Sequence, residues 1–168
     1  MRFELISKEL FNETFPRAHY DYENECFYDK VKLPARATKH SAGYDFFAPF
    51  EFSLAPGETI TIPTCVRVKL DNDKFLAIVP RSGLGFKYRI QLDNTIGIID
   101  ADYYYSDNEG HIYIKITNDG KSGKILNVKQ GEAFAQGIIL KYYTTEDDCA
   151  TRHRNGGFGS TDDFERGI

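Results

Sequence analysis

Alternation of apolar and polar side chains between turn residues favours one local structure, a strand with one face buried. That pattern governs this chain from about Lys32 onward. "TITIPTCVRVKL" alternates, "DNDK" turns the chain, and "FLAIVP" reads as a more fully buried strand. "HIYIKITN" alternates before the turn "DGKSGK", "ILNV" precedes the turn "KQGE", and "AFAQGIILKYY" closes the series. Strand-like runs broken by turn signals roughly every 8 to 15 residues are the pattern of a sandwich or barrel. A period of 3.6 is sustained only over "SKELFNETF", so the sequence predicts an all-β domain with at most a short helix.

The chain has 168 residues, 41% of them hydrophobic, which suits one compact body. Its reading is an N-terminal strand and extension over residues 1–30, a β domain over 31–150, and a C-terminal arm over 151–168. Residues 1–30 carry seven acids against four Lys or Arg, and suit either a strand with an extension packing over a neighbour or a solvated lid. "GGFGSTDDFERGI" has four glycines in 13 residues and few apolar anchors, so a mobile arm is expected.

No apolar run approaches the roughly 18 residues of a membrane span, and charge interrupts "MRFELISKELFNETF" where a signal peptide needs an apolar stretch. The expectation is a soluble cytoplasmic protein with no membrane partner. Cys26, Cys65 and Cys149 are odd in number and lack paired spacing, which suggests neither a disulfide framework nor a zinc site. A net charge of -4 argues against a general nucleic-acid binder, so an anionic ligand must be held locally. Arg81, Lys87 and Arg89 form one small basic cluster and "TRHRNGG" another.

Four segments bear chemistry. "VPRSGLGFK" follows a strand with a turn of two glycines, a hydroxyl and cations, a way to cradle a phosphate without a helix; an ordinary β-turn with solvated charges is the structural alternative. It is not a P-loop, because the G-x-x-x-x-G-K-[ST] spacing is missing. "SAGYDFFAP" places Asp45 after a small-residue turn, where an acid orients a water of hydrated magnesium or caps the turn. "NTIGIIDADYYY" ends a buried strand on Asp100 ahead of three tyrosines, which alone is compatible with turn and strand preferences. "NGGFGST" holds Phe158 between glycines with hydroxyls after it, suited to folding over a ligand and stacking on a base; a disordered tail is the structural alternative.

Taken in order, the small turn plus acid, Arg-Ser-Gly, Gly-x-Ile-Asp-x-x-Tyr, Gly-Glu-x-x-Ala-Gln, and Gly-Gly-Phe-Gly-Ser-Thr resemble the five-motif signature of the homotrimeric dUTPases, from about Val31 to Thr161. The resemblance implies a jelly-roll-like β subunit, three of which share active sites that the C-terminal arm closes. It implies Asp45 near a hydrated Mg2+, and Arg81, Ser82 and Gly83 on the phosphate chain of dUTP. Asn94 and a narrow hairpin backbone at Gly97 and Ile99 would read uracil. Asp100 would deprotonate the water that attacks the α-phosphorus, and Tyr103 would pack on the deoxyribose and exclude a 2′-hydroxyl. Gln136 would meet metal or phosphates through water. Arg154, Gly159, Ser160 and Thr161 would join Phe158 in covering the nucleotide.

Several positions depart from the family pattern. Tyr104 and Tyr105 stand where a glycine is usual, and "SDNEG" lengthens the following turn. Ala133 replaces a common Arg, His153 rather than Arg154 lies five residues before Phe158, and Asp162 replaces a Gly. Two other readings compete with dUTP hydrolysis. A same-fold dCTP deaminase needs a glutamate that the third motif lacks before Glu109, and a non-catalytic nucleotide-binding trimer has no use for Asp100.

Overall fold

The computed structural model describes residues 1–15 and 26–151, with the backbone alone at Cys26 and Phe27. In chain order the elements are β1 (Arg2–Leu5), α1 (Lys8–Thr14), α2 (Cys26–Lys30), β2 (Ala35–Arg36), β3 (Tyr44–Phe47), β4 (Phe52–Leu54), β5 (Thr59–Pro63) and β6 (Val66–Lys69). There follow β7 (Lys74–Pro80), α3 (Ser82–Tyr88), β8 (Ile90–Leu92), β9 (Gly97–Ile99), a 3-10 turn (Ala101–Tyr105), β10 (Tyr113–Asn118), β11 (Leu126–Val128) and β12 (Ala133–Lys141). Strands dominate, as the alternation predicts. The largest sheet has the order β2-β3-β12-β7-β9; a second has β5-β10-β8, and two strand pairs, β1-β6 and β11-β4, complete the ladders. Every described pair is antiparallel.

The predicted helix at "SKELFNETF" is α1. Ser7 caps it by accepting from the Leu10 N–H at 3.1 Å, and Phe11 and Phe15 lie buried beside Ile6 and Cys65. Burial pushes the Cys65 thiol up to about 12, so it packs as an inert apolar group. The main core is formed by inward residues of the two larger sheets and of both strand pairs, with Phe46, Leu76, Ile78, Ile114, Ile116 and Phe134 all fully enclosed. Each such side chain stabilises the fold by about 1.5–3 kcal/mol through the apolar area it removes from water.

Three segments differ from their sequence readings. "TITIPTCVRVKL" is two strands in different sheets, because the backbone enters the left-handed region at Cys65 (φ 62) directly after Pro63 and Thr64. "RSGLGFKY" is helical rather than a bare turn: α3 opens at Arg81 and ends at Arg89 (φ 55), whose N–H returns to the Gly85 carbonyl at 2.9 Å. The segment around Asn94 is not a paired hairpin. β8 pairs with β10 and β9 with β7, so Asp93 to Ile96 carries the chain from one sheet to the other, turning at Thr95 (φ 65). Among the described residues, no helix is long and apolar enough to cross a membrane.

Candidate active site

The central strand β12 sets the first part of the site. Gln136 lies opposite Asp45 on β3 and opposite Val79 on β7, so the amide and the carboxylate share one face of the largest sheet. The Gln136 side chain donates to the Pro80 carbonyl at 3.2 Å. A Cβ at Gly43 would stand 2.3 Å from Gln136 Oε1, which is why a glycine ends the small-residue turn before β3. Arg81, where β7 gives way to α3, donates to the Ala133 carbonyl at 3.1 Å and pairs through Nε with Asp45 at 3.0 Å. Ser82 and Gly83 form the first residues of α3. Ser41, Asp45, Arg81, Ser82, Gly83 and Gln136 border one cavity of about 410 Å³. A carboxylate, a cation, an amide and hydroxyls around one hollow are a donor and acceptor set for a polyanion with its counter-ion.

A second cavity of about 410 Å³ is mostly apolar and lies where the chain passes between the sheets. Asn94, Gly97 and Ile99 border it together with Ile78, Leu92 and Tyr113. A Cβ at Gly97 would come 3.1 Å from the Ile78 Cβ, so only a glycine leaves this wall without displacement. Beside it Asp93 accepts from Thr117 Oγ1 at 2.5 Å and pairs with Lys115 at 2.9 Å, which holds its carboxyl below the ordinary range; the Thr117 hydrogen bond is the main cause.

Asp100 and Tyr103 form a third part, bordering neither cavity within the chain. Asp100 follows β9 and opens the 3-10 turn in extended conformation (φ -76, ψ 159), without capping that turn through its side chain. Tyr103 is 4% exposed, and its hydroxyl donates to the His111 carbonyl at 2.9 Å. The lengthened turn after it closes tightly. A Cβ at Gly110 (φ +73) would lie 2.7 Å from Tyr104 Cα and 2.8 Å from the Tyr103 carbonyl oxygen. Gly110→Ala is therefore expected to destabilise the protein by about 2 kcal/mol, through a left-handed backbone penalty and a clash with main chain. A urea titration at neutral pH measures it, and an unchanged midpoint contradicts it.

The structure thus brings Asp45, Arg81, Ser82, Gly83 and Gln136 together and groups Asn94, Gly97 and Ile99 separately. Arg154, Phe158, Gly159, Ser160 and Thr161, and the arm they belong to, lie outside the described residues. Sequence reasoning did not name Asn108 or His111, whose amide and carbonyl bond to the Tyr103 hydroxyl. The available signal was the run of polar residues "SDNEGH" in place of a short glycine link.

An antiparallel jelly-roll-like domain that carries a polar hollow and an apolar one on the same body narrows the class to a β protein built around a polar small ligand. Residues 29–162 match the family model for dUTPase, and the chain belongs to the dUTPase family. Among similar proteins, the deoxyuridine 5'-triphosphate nucleotidohydrolase of Lactococcus lactis is 36% identical over 134 residues, covering 78% of this chain and 88% of the relative. That of Methylobacillus flagellatus is 41% identical over 137 residues, covering 77% and 87%. The crystal structure of dUTPase from Streptococcus mutans superposes with a TM-score of 0.65 at 28% identity, over 87% of this chain and 99% of that one. A dUTPase of phage phi11 of S. aureus shares the fold at 21% identity, with a TM-score of 0.62 over 92% of this chain and 98% of that one.

Proposed function

We propose that the chain hydrolyses dUTP to dUMP and pyrophosphate in the cytoplasm, keeping uracil out of DNA and supplying dUMP for thymidylate synthesis. The observation that carries this reading is the convergence of Asp45, Arg81, Ser82, Gly83 and Gln136 on one cavity in a member of the dUTPase family. Arg81 and the Ser82 hydroxyl bind the phosphate chain, with room beside Gly83, where an added Cβ meets no atom within 4 Å. Asn94 and the backbone at Gly97 and Ile99 receive the uracil in the apolar cavity, whose narrow walls select against larger or differently bonded bases.

Asp100 takes a proton from water. The water oxygen forms a bond to the α-phosphorus as the bond from that phosphorus to the α,β-bridging oxygen breaks, and pyrophosphate leaves with the bonding pair. Tyr103 is the wall at the sugar, and the hydrogen bond that fixes its hydroxyl keeps the wall stiff against a 2′-hydroxyl. Phe158, with Arg154, Gly159, Ser160 and Thr161, closes over the nucleotide. The polar and apolar cavities are separate within one chain, which supports a homotrimer in which neighbours complete each site.

Magnesium fits the polar cavity as a hydrated ion. Among the described residues no group of three or more His, Cys, Asp or Glu converges to bind a bare metal, and Asp45 already pairs with Arg81. Asp45 and Gln136 would hold the ion's waters, and the bound ion would neutralise charge on the phosphates. A structure of a variant of the phage phi11 dUTPase describes coordination of a structural Mg(II) ion in that protein.

The test is pyrophosphate release from dUTP, UTP, dTTP, dCTP and dATP in the presence of Mg2+. Release from dUTP alone is expected. Binding of dUTP without release would instead establish a nucleotide-binding trimer, and ammonia from dCTP a deaminase.

A further inference from the structure

The lengthened turn after Tyr105 is one place where this chain departs from its family's pattern, and its polar groups are bonded to one another around a single side chain. Glu109 N–H donates to the Ser106 carbonyl at 2.8 Å and His111 N–H to the Asn108 carbonyl at 3.0 Å, which fold the five added residues into a closed knot. Inside it the Asn108 amide has a fixed orientation. Its Oδ1 accepts from the Gly110 N–H at 3.2 Å and lies 2.8 Å from the Ser106 hydroxyl, so Nδ2 faces the other way and donates to the Tyr103 hydroxyl at 2.8 Å. That hydroxyl in turn donates to the His111 carbonyl at 2.9 Å. The phenol therefore has one donor and one acceptor set for it at right distances, and both come from the added turn or its immediate end.

The knot is also braced from outside by the N-terminal segment. Glu109 accepts from Ser7 at its N–H (2.8 Å) and its hydroxyl (2.5 Å). Burial pushes the Glu109 carboxyl up, but the two Ser7 bonds and Arg67 outweigh it and leave it below the ordinary value, hence ionised at neutral pH. Tyr104 donates to Glu4 at 2.6 Å, and Arg67 lies over the Tyr104 ring at 4.4 Å while pairing with Glu4 at 3.0 Å. The N-terminal extension and the lengthened turn, two separate oddities of the sequence, are one assembly behind Tyr103.

We infer that Asn108 is a positioning residue for sugar selection, acting through the Tyr103 phenol. The inference rests on the reading of Tyr103 as the wall at the deoxyribose. Selection by exclusion works only if the wall does not retreat, because a ring free to shift by a few tenths of an ångström admits the extra hydroxyl at small cost. A glycine link after the tyrosine supplies no side chain for this task. The added turn supplies one, and the N-terminal brace keeps the turn in place.

The experiment compares kcat/KM for dUTP and for UTP, by pyrophosphate release, in the full wild-type chain, Asn108→Ala, Tyr103→Phe and the double variant. In Asn108→Ala the dUTP-to-UTP ratio is expected to fall about tenfold, the worth of one buried hydrogen bond. Tyr103→Phe removes this bond together with the one to the His111 carbonyl and is expected to lower the ratio at least as far, with little further fall when Asn108→Ala is added to it. A merely structural role lowers kcat/KM for both substrates together and keeps the ratio; that result overturns the inference. If Asn108→Ala does not fold, as read by circular dichroism, Tyr103→Phe decides, and an unchanged ratio there overturns it as well. Failure of the wild type to cleave dUTP is a different result, which removes the dUTPase reading and this inference with it.

Discussion

Asp100→Asn is expected to lower kcat for dUTP by about 10²–10⁴-fold, the usual contribution of a positioned general base. The substitution keeps the size and shape of the side chain and removes only its ability to take a proton. Its backbone setting should survive. Ile99 stays in register with Leu76 at the edge of the largest sheet, and the Asp100 carbonyl still accepts from the Tyr103 N–H at 3.2 Å. The reason to choose Asp100 is its place in the chain: it ends β9, whose Gly97 and Ile99 border the apolar cavity, and it starts the turn that carries Tyr103. Single-turnover pyrophosphate release measures the chemical step, and calorimetry with a non-hydrolysable dUTP analogue measures binding. Retained binding with a collapsed chemical step supports the role; turnover within about tenfold of wild type assigns the base elsewhere.

Much of this architecture is legible in the chain because it depends on short periods. β10 and β12 appear where alternation places them, and α1 appears where the only sustained helical period lies, with Ser7 at its start. The cavity-lining residues Asp45, Arg81, Ser82 and Gln136 are legible for another reason: they stand in short motifs whose order is specific, although nothing in their spacing shows that β12 brings three segments together. What was not legible depends on tertiary facts. α3 buries no residue, so it leaves no apolar stripe to detect, and two glycines within it suggest a turn. The family resemblance implies a hairpin at Asn94, but the flanking strands belong to different sheets, β8 pairing with β10 and β9 with β7. The brace behind Tyr103 joins Ser7 to Glu109 and Glu4 to Tyr104, residues about a hundred positions apart, and no local pattern reports such a contact.

That same region is expected to make stability depend on pH from about 6.5 down to about 4, through His111. The ring is fully enclosed, Nε2 accepts from the Cys65 N–H at 3.0 Å, and the Tyr113 ring packs on it at 4.3 Å. An accepting Nε2 places the proton of a neutral imidazole on Nδ1, which has no hydrogen-bond partner among the described residues. Burial lowers the His111 pKa to about 4, with Glu109 as a weaker opposing influence. In the unfolded chain a histidine protonates near 6.5. Below about pH 6.5 the unfolded state thus binds a proton that the folded state refuses, and stability falls as pH drops until the folded pKa is reached. The full loss is on the order of 3 kcal/mol, of which about 2 kcal/mol is expected between pH 7 and pH 5. Glu4 and Glu109, whose carboxyls are held below their ordinary values, add their own loss lower still, so the upper window belongs to the histidine. Urea unfolding at fixed chain concentration, at pH 7 and pH 5, measures the slope. His111→Gln keeps an acceptor for the Cys65 N–H and cannot titrate, so its stability should be nearly flat across that window. An equal slope in wild type and variant would show that another group controls it.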